Sequence, residues 1–269
     1  MIDLGFWFLL PIGIVISSIA MMAGIGGALL FSPFFMLVLG LDPLTAFSAS
    51  LVIEMFGFSS GVIGYWRQHS INFHVVKELL IYTIPATLMG VFIGRFVPHI
   101  ILTLIITGLM LYLAYRLLII KEKCIPKHPH FTGVHKNHDH DYISLNLKAS
   151  SFFGGLLLGM ISAGLGEVNE FNFLKKLRLS IPLASGTSVF LVALSAIIGV
   201  FFHGLFLFKE ADLSIFSSIL SLIIFTVPGV IIGAQIGVRL SKRIKPRIMH
   251  KGIGLLFLLL GLITLTLIF

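Results

Sequence analysis

Two glycine-rich stretches, one in each half of the chain, hold the residues whose types and spacing are best suited to chemistry. The first contains Gly24, Gly26 and Gly27, and the second contains Gly164 and Gly166. Glycine has no Cβ, so the chain can turn there and expose backbone N–H groups. At the start of a helix, such N–H groups and the helix dipole favour negative charge. The five glycines therefore predict a site for a small anion.

Four small hydroxyl side chains follow the glycine stretches and are expected to add hydrogen-bond donors. They are Ser48 and Ser50 in the first half and Thr187 and Ser188 in the second. A different interpretation stays open for both groups, because small residues also let membrane helices pack closely. The glycines cluster at an interruption of an apolar region, which favours binding for them more than for the hydroxyls.

Three carboxylates lie in apolar surroundings, where a charge is costly unless it faces the protein interior. Glu54 lies in the middle of an apolar segment, and we expect it to bind and release a proton during a coupled process. If so, Glu54→Gln removes the pH dependence of that process. Glu167 and Glu170 are three residues apart and so share one helix face. They are expected to share a proton or bind a cation, or alternatively to pair with Lys175, Lys176 and Arg178.

The composition is that of an all-α, polytopic integral membrane protein. Of 269 residues, 57% are hydrophobic and 11% are charged, whereas charged residues make up about a quarter of a soluble domain. The apolar runs 5–22, 100–115, 213–234 and 253–269 approach or exceed the roughly 17–25 residues of a spanning helix. Cys124 is the single cysteine, which excludes an intramolecular disulfide. The net charge of +8 is explained by basic loops rather than by nucleic-acid binding.

About eight spanning helices are expected, arranged in two four-helix repeats. The first membrane repeat covers 1–120, with a broken or re-entrant segment at 25–40, and the second covers 149–269, with a broken segment at 166–180. A hydrophilic, His-rich linker at 121–148 joins them. The repeat is clearest in one helix of each half: Thr83-Ile84-Pro85 followed by Gly90 and Gly94 matches Thr226-Val227-Pro228 followed by Gly233 and Gly237.

The distribution of Lys and Arg predicts the orientation in the membrane. With eight full spans, Arg95 and the basic residues of 175–178 and 239–247 fall on one side, which the positive-inside rule places in the cytoplasm. Both termini and the linker then lie outside. Five linker histidines invite a metal-binding interpretation, but a solvated loop is favoured, and no metal site is predicted. They are His128, His130, His135, His138 and His140.

The order of these motifs resembles the TauE/SafE sulfite exporter family, also called the toluene-sulfonate uptake permease family. The resemblance covers nearly the whole chain outside the linker. In the first half it is carried by 24–27, Pro33, 39–43, 46–51 and 60–67, and in the second half by 164–166, Pro182, 186–188 and 228–237. One departure stands out: the second half has Glu167 to Glu170 where the first has Gly27 to Leu30.

This resemblance implies a secondary carrier of small anions, such as sulfite, sulfonates or sulfoacetate-like compounds, in a bacterial inner membrane. Transport would proceed by alternating access, one repeat rocking against the other. Neither a nucleophile–base motif nor a phosphate loop is present, so we predict no enzyme activity and no cofactor, and an ion gradient or the membrane potential supplies the energy. The alternatives are a divalent metal-ion transporter and a non-transporting membrane scaffold. Transport direction and oligomeric state are left open.

Overall fold

The computed structural model describes residues 4–119, 143–210, 213–241 and 246–266. These residues are almost entirely helical, which confirms the all-α prediction. After a short 3-10 helix, Leu4–Phe8, the α-helices are α1 Leu9–Ala23, α2 Ala28–Val38, α3 Pro43–Arg67, α4 Phe73–Gly94, α5 His99–Ile119, α6 Leu145–Ile161, α7 Leu165–Lys175, α8 Ile181–Glu210, α9 Leu213–Leu240 and α10 Pro246–Leu265. The predicted linker lies mostly outside the described residues.

Six helices of the described chain are long and apolar enough to cross a membrane. Two others, α2 and α7, have 11 residues each, or about 16 Å at 1.5 Å per residue, which is too short to span. The prediction of eight spanning helices in two repeats stays a prediction. The segment 166–180, expected to be broken, consists of the short helix α7, Leu165–Lys175, and a non-helical stretch before α8.

Local sequence explains where the helices near the glycines begin and end. α1 ends at Gly24, whose φ of 64° is in the left-handed region that favours glycine. α3 begins as its sequence predicts, with Pro43 in the first turn and the Asp42 side chain accepting a hydrogen bond from Thr45 N at 3.0 Å. α7 begins at Gly164, which has a φ of 110°.

The first helix of each half packs on the fourth α-helix of the other half. Gly229, Gly233 and Gly237 of α9 lie against the backbone of Leu10, Ile14 and Ser18 of α1. In the same way, Gly90 of α4 meets the backbone of α6 at Leu156 and Gly159, so both pairs join different halves. The matching Pro and Gly spacing therefore serves the same purpose twice: it lets two helices approach closely. Within each pair the two helices run parallel.

The predicted orientation, with both termini and the linker on one side, is wrong. α2 reverses the chain, so α3 runs parallel to α1: Gly57 approaches Ser17, and further along Gly61 contacts Met21. Each half then makes an odd number of net crossings. As a result, the start of α1 and the end of α10 lie at one face, and the end of α5 and the start of α6 lie at the opposite face, which we call the linker face.

The two short helices have opposite chemical character. α2 buries apolar side chains, including Leu29, Phe31 and Phe35, in a cluster that also contains residues of α5 and α10. α7 instead buries polar ones, among them Glu167 and Glu170. The outer surface of the long helices carries large apolar side chains, whereas the polar groups of α7 are buried in the protein centre. Examples on that outer surface are Ile81, Ile100 and Phe153.

Candidate functional site

The two glycine turns meet in the middle of the protein. A Cβ on Gly166 would lie 3.4 Å from Gly26 N and 3.5 Å from Gly24 O. The second turn is held by Ser188 of α8, whose hydroxyl donates to Gly166 O at 2.9 Å. Just before it, the Ser162 hydroxyl donates to Phe47 O at 2.7 Å. Residues from both halves of the chain thus form one centre.

Glu167 connects the two turns through its two carboxylate oxygens. Oε1 accepts a hydrogen bond from Gly26 N at 2.9 Å, and Oε2 accepts one from Gly164 N at 2.8 Å. The second contact is the reach of a residue at position N3 back to the N-cap, as in a capping box. The N–H groups expected to bind an anion are therefore held here by an anionic side chain of the protein itself.

Glu54 faces Glu167 across Gly26. A Cβ on Gly26 would lie 2.7 Å from Oε1 of each carboxylate, so only glycine leaves room for both. Oε1 of Glu54 accepts a long hydrogen bond from Ala28 N at 3.4 Å, while its Oε2 is buried without a partner. Glu54 is 3% exposed and Glu167 is 4% exposed. Two buried carboxylates therefore share one small volume.

Glu170 lies one turn further along α7, against the first glycine turn. Its Oε1 accepts a hydrogen bond from the Ser185 hydroxyl at 2.5 Å. A Cβ on Gly24 would lie 2.6 Å from Oε2 of Glu170, so Gly24 is required by its contact as well as by its φ. The three predicted carboxylates thus surround the turn 24–27 from two helices.

A cavity of about 270 Å³ leads from this centre toward the linker face. Glu167 and Glu170 line its inner part, together with Ile25. Nearer the linker face it is lined by Arg116 of α5, whose guanidinium carbon lies 3.9 Å from the centroid of the Phe171 ring, and by Lys175. The cavity thus has two cations at its entrance, carboxylates at its end and a mainly apolar wall between them.

The structure brings some of the predicted residues together and leaves others apart. Gly24, Gly26, Gly164 and Gly166 are at the meeting point with Ser188. Gly27 is set back, because its nearest side-chain neighbour is Phe31 of its own helix. The other predicted hydroxyls are buried in α3 and α8 but form no described hydrogen bond to the centre: Ser48, Ser50 and Thr187.

Sequence reasoning missed the role of Ser185, Arg116 and Phe171. Ser185 precedes the Gly186-Thr187-Ser188 motif and has the same small, polar character, so the motif could have been extended to it. No local sequence feature marks Arg116 or Phe171 as cavity residues, because Arg116 simply lies near the end of an ordinary apolar helix. Thr187 does not adjoin the centre as expected: its hydroxyl accepts from Asn72 N at 3.0 Å and donates to Leu183 O, so it anchors a loop.

Metal binding receives no support from the described residues, which contain no group of three or more His, Cys, Asp and Glu side chains arranged around an ion. The linker histidines fall outside those residues. His203 is isolated in α8, where its Nε2 lies 3.3 Å from Gly159 O.

Comparison with known proteins relates the whole chain to one family. The family model described as "Sulfite exporter TauE/SafE" matches residues 9–264. A "Probable membrane transporter protein YjnA" from Bacillus subtilis (strain 168) is 35% identical over 86 residues, which are 32% of this chain and 34% of that protein. The match thus spans about a third of the relative. No solved structure matches the chain.

Proposed function

We propose that this chain, which belongs to the sulfite exporter TauE/SafE family, is a multi-pass membrane transporter that carries small sulfur-containing anions such as sulfite or organosulfonates. Transport is secondary and proceeds by alternating access, with the meeting point of the two glycine turns as the substrate site. An ion gradient or the membrane potential drives it.

The observation that carries this proposal is the cavity that ends at Glu167, whose carboxylate accepts the N–H groups of Gly26 and Gly164. Backbone N–H groups at helix starts favour an anion, and both glycines direct their N–H groups to carboxylate oxygens at 2.9 and 2.8 Å. A sulfonate or sulfite group offers oxygens to the same donors. Arg116 and Lys175 at the entrance attract an anion from solution. The volume of about 270 Å³ suits a small organic anion.

We also propose that the linker face is cytoplasmic in a bacterial inner membrane. Among the described residues, that face carries Arg67, Lys175, Lys176, Arg178 and Arg239, whereas Arg95 lies at the opposite face. The positive-inside rule therefore favours a cytoplasmic linker and external termini. The cavity then opens toward the cytoplasm.

The experiment is counterflow in proteoliposomes loaded with sulfite, sulfoacetate, thiosulfate, taurine or methanesulfonate. We expect saturable exchange of at least one compound, and its loss in Gly26→Leu, because a side chain at Gly26 collides with both carboxylates. Gly108→Leu is the matched control, since a Cβ there meets nothing within 4 Å. Well-folded protein with no exchange of any compound overturns the proposal. Counterflow of a divalent metal ion in the same vesicles then favours the alternative of a divalent metal-ion transporter.

A further inference from the structure

We propose that Glu167 couples anion transport to protons by acting as a tethered anion, which occupies the substrate's place at Gly26 and Gly164 and leaves it when protonated. This inference rests on the proposed function and adds to it the coupling ion, the coupling residue and the charge moved per cycle.

The hydrogen bonds of Glu167 are those that a substrate anion needs. Its two oxygens accept from N–H groups of two different turns, at 2.9 Å from Gly26 and 2.8 Å from Gly164. A sulfonate presents a similar pair of oxygens to the same donors. Because Glu167 also lines the cavity, a solute that enters from the linker face reaches these donors only by replacing the carboxylate.

Glu54 makes Glu167 the member of the pair that carries the charge. The two carboxylates face each other across Gly26, and two like charges in a buried site repel strongly, so the pair retains one proton. Glu167 accepts two short hydrogen bonds from N–H groups, which stabilise a charged carboxylate. Glu54 has weaker backbone contacts, with Ala28 N at 3.4 Å and with Gly27. Its Oε2 has no hydrogen-bond partner, and its side chain lines a cavity of about 10 Å³, room for one water. The proton therefore resides on Glu54.

The other described titratable groups around the centre do not neutralise the Glu167 carboxylate, so we infer that protonation does. Glu170 is hydrogen-bonded to Ser185, and the Tyr65 hydroxyl donates to Met21 O. Arg116 and Lys175 line the same cavity, but their charged groups lie over the Phe171 ring. Among the described residues, no nitrogen of Lys, Arg or His lies within 4.0 Å of the Glu167 carboxylate.

The charge then balances at each step. A proton from water in the cavity binds one oxygen of Glu167, and the neutral carboxyl releases the N–H groups of Gly26 and Gly164. The substrate anion accepts those two hydrogen bonds, so binding of a monovalent anion with one proton leaves the net charge of the centre unchanged. When substrate and proton leave at the other side, the Glu167 carboxylate returns to the donors. One proton thus accompanies each substrate anion, and transport of a monovalent anion is electroneutral.

The test follows methanesulfonate, whose charge does not change over the pH range used, in three proteoliposome assays: counterflow, uptake driven by a pH gradient, and uptake driven by a potassium–valinomycin potential. We expect the wild type to show counterflow and pH-driven uptake but no potential-driven uptake. Glu167→Gln is always neutral at this position, so we expect it to keep counterflow and to lose pH-driven accumulation at least tenfold. Glu78→Gln, outside the centre on α4, is the matched control and behaves as the wild type.

Each further outcome decides between the proposals. Absence of counterflow in the wild type removes the proposed function, and this inference with it. Counterflow with uptake driven by potential but not by pH keeps the anion carrier and overturns proton coupling. The role of Glu167 is also overturned if Glu54→Gln, rather than Glu167→Gln, loses the pH drive. Should Glu167→Gln not fold, Gly26→Ala displaces the carboxylate instead, and an unchanged ratio of pH-driven uptake to counterflow overturns the inference.

Discussion

Glu167 connects the glycine turns of the two halves, since each of its oxygens accepts an N–H group from a different turn. Its contact with Gly164 could have been read from the sequence, because a Glu three residues after a helix start has capping-box spacing. Its contact with Gly26 could not, because nothing local relates two positions in different halves.

The sequence does predict which residue types matter at the centre. The four glycines at the meeting point and all three carboxylates, Glu54, Glu167 and Glu170, are candidates from their types and positions in the chain alone. The hydroxyls are less predictable, because Ser and Thr in apolar helices often bond the carbonyl four residues earlier. Thr187 does so with Leu183 at 2.6 Å. Whether any of these residues binds substrate stays a prediction.

Tyr65 secures the end of α1 next to the first glycine turn. Its hydroxyl donates to Met21 O at 2.7 Å, and both groups are buried. Tyr65→Phe leaves that carbonyl only the long hydrogen bond from Gly24 N at 3.4 Å, so we expect a loss of about 0.5–1.5 kcal/mol in the free energy of unfolding. Thermal unfolding in detergent measures it. Tyr115→Phe, at a side chain that is 62% exposed, is the control; an equal change in both variants contradicts the prediction.

Among the helices, the parallel pairs α1–α9 and α4–α6 hold the two halves together. The matching Pro and Gly spacing relates α4 to α9. In the structure, the glycine face of α4 packs against α6, and that of α9 packs against α1. Choosing those partners was beyond the sequence, because a small-residue face specifies close approach without specifying the helix that approaches.

Gly233 tests how tightly α1 and α9 pack. A Cβ there would collide with the backbone of Ile14, which has no flexible end to move aside. Gly233→Ala should therefore destabilise the protein by about 1–3 kcal/mol, the usual cost of overpacking. Gly108→Ala should not lower stability, since its Cβ meets open space and Ala is the better helix former. Thermal unfolding in detergent measures both variants, and an unfolding midpoint of Gly233→Ala at or above that of Gly108→Ala refutes this packing.

For the chain as a whole, the short helices decide the topology. Counting charges grouped 175–178 with Arg239, as the described residues are, but it wrongly added Arg95 to that side and put the linker on the other side. The error came from assuming that successive long helices alternate in direction. Instead, α2 returns the chain so that α1 and α3 are parallel, and α7 returns it so that α6 and α8 are parallel. A re-entrant helix changes the count of crossings, and a hydropathy profile does not reveal which way such a helix runs.

Thiol labelling of intact cells tests this topology in a Cys124→Ser background. Ser150 lines the cavity at the linker face, and His99 is exposed at the start of α5 on the opposite face. A membrane-impermeant maleimide should label His99→Cys in intact cells, and Ser150→Cys only after permeabilisation. Substrate should slow the second reaction. The reverse pattern inverts the orientation, and labelling of both variants in intact cells rejects two opposite faces.

The contrast between the apolar α2 and the polar α7 has a consequence for inhibition. A blocker with a cationic head and an aromatic or aliphatic tail has a complementary surface in the cavity, where Glu167 and Glu170 lie beside Phe171 and Tyr112. On the side of α2, the cavity beside Phe31 and Glu54 has a volume of only about 10 Å³, too small for such a compound. Such a compound should therefore act from one side of the membrane alone, so that its potency in vesicles reports the fraction of transporters inserted in each direction.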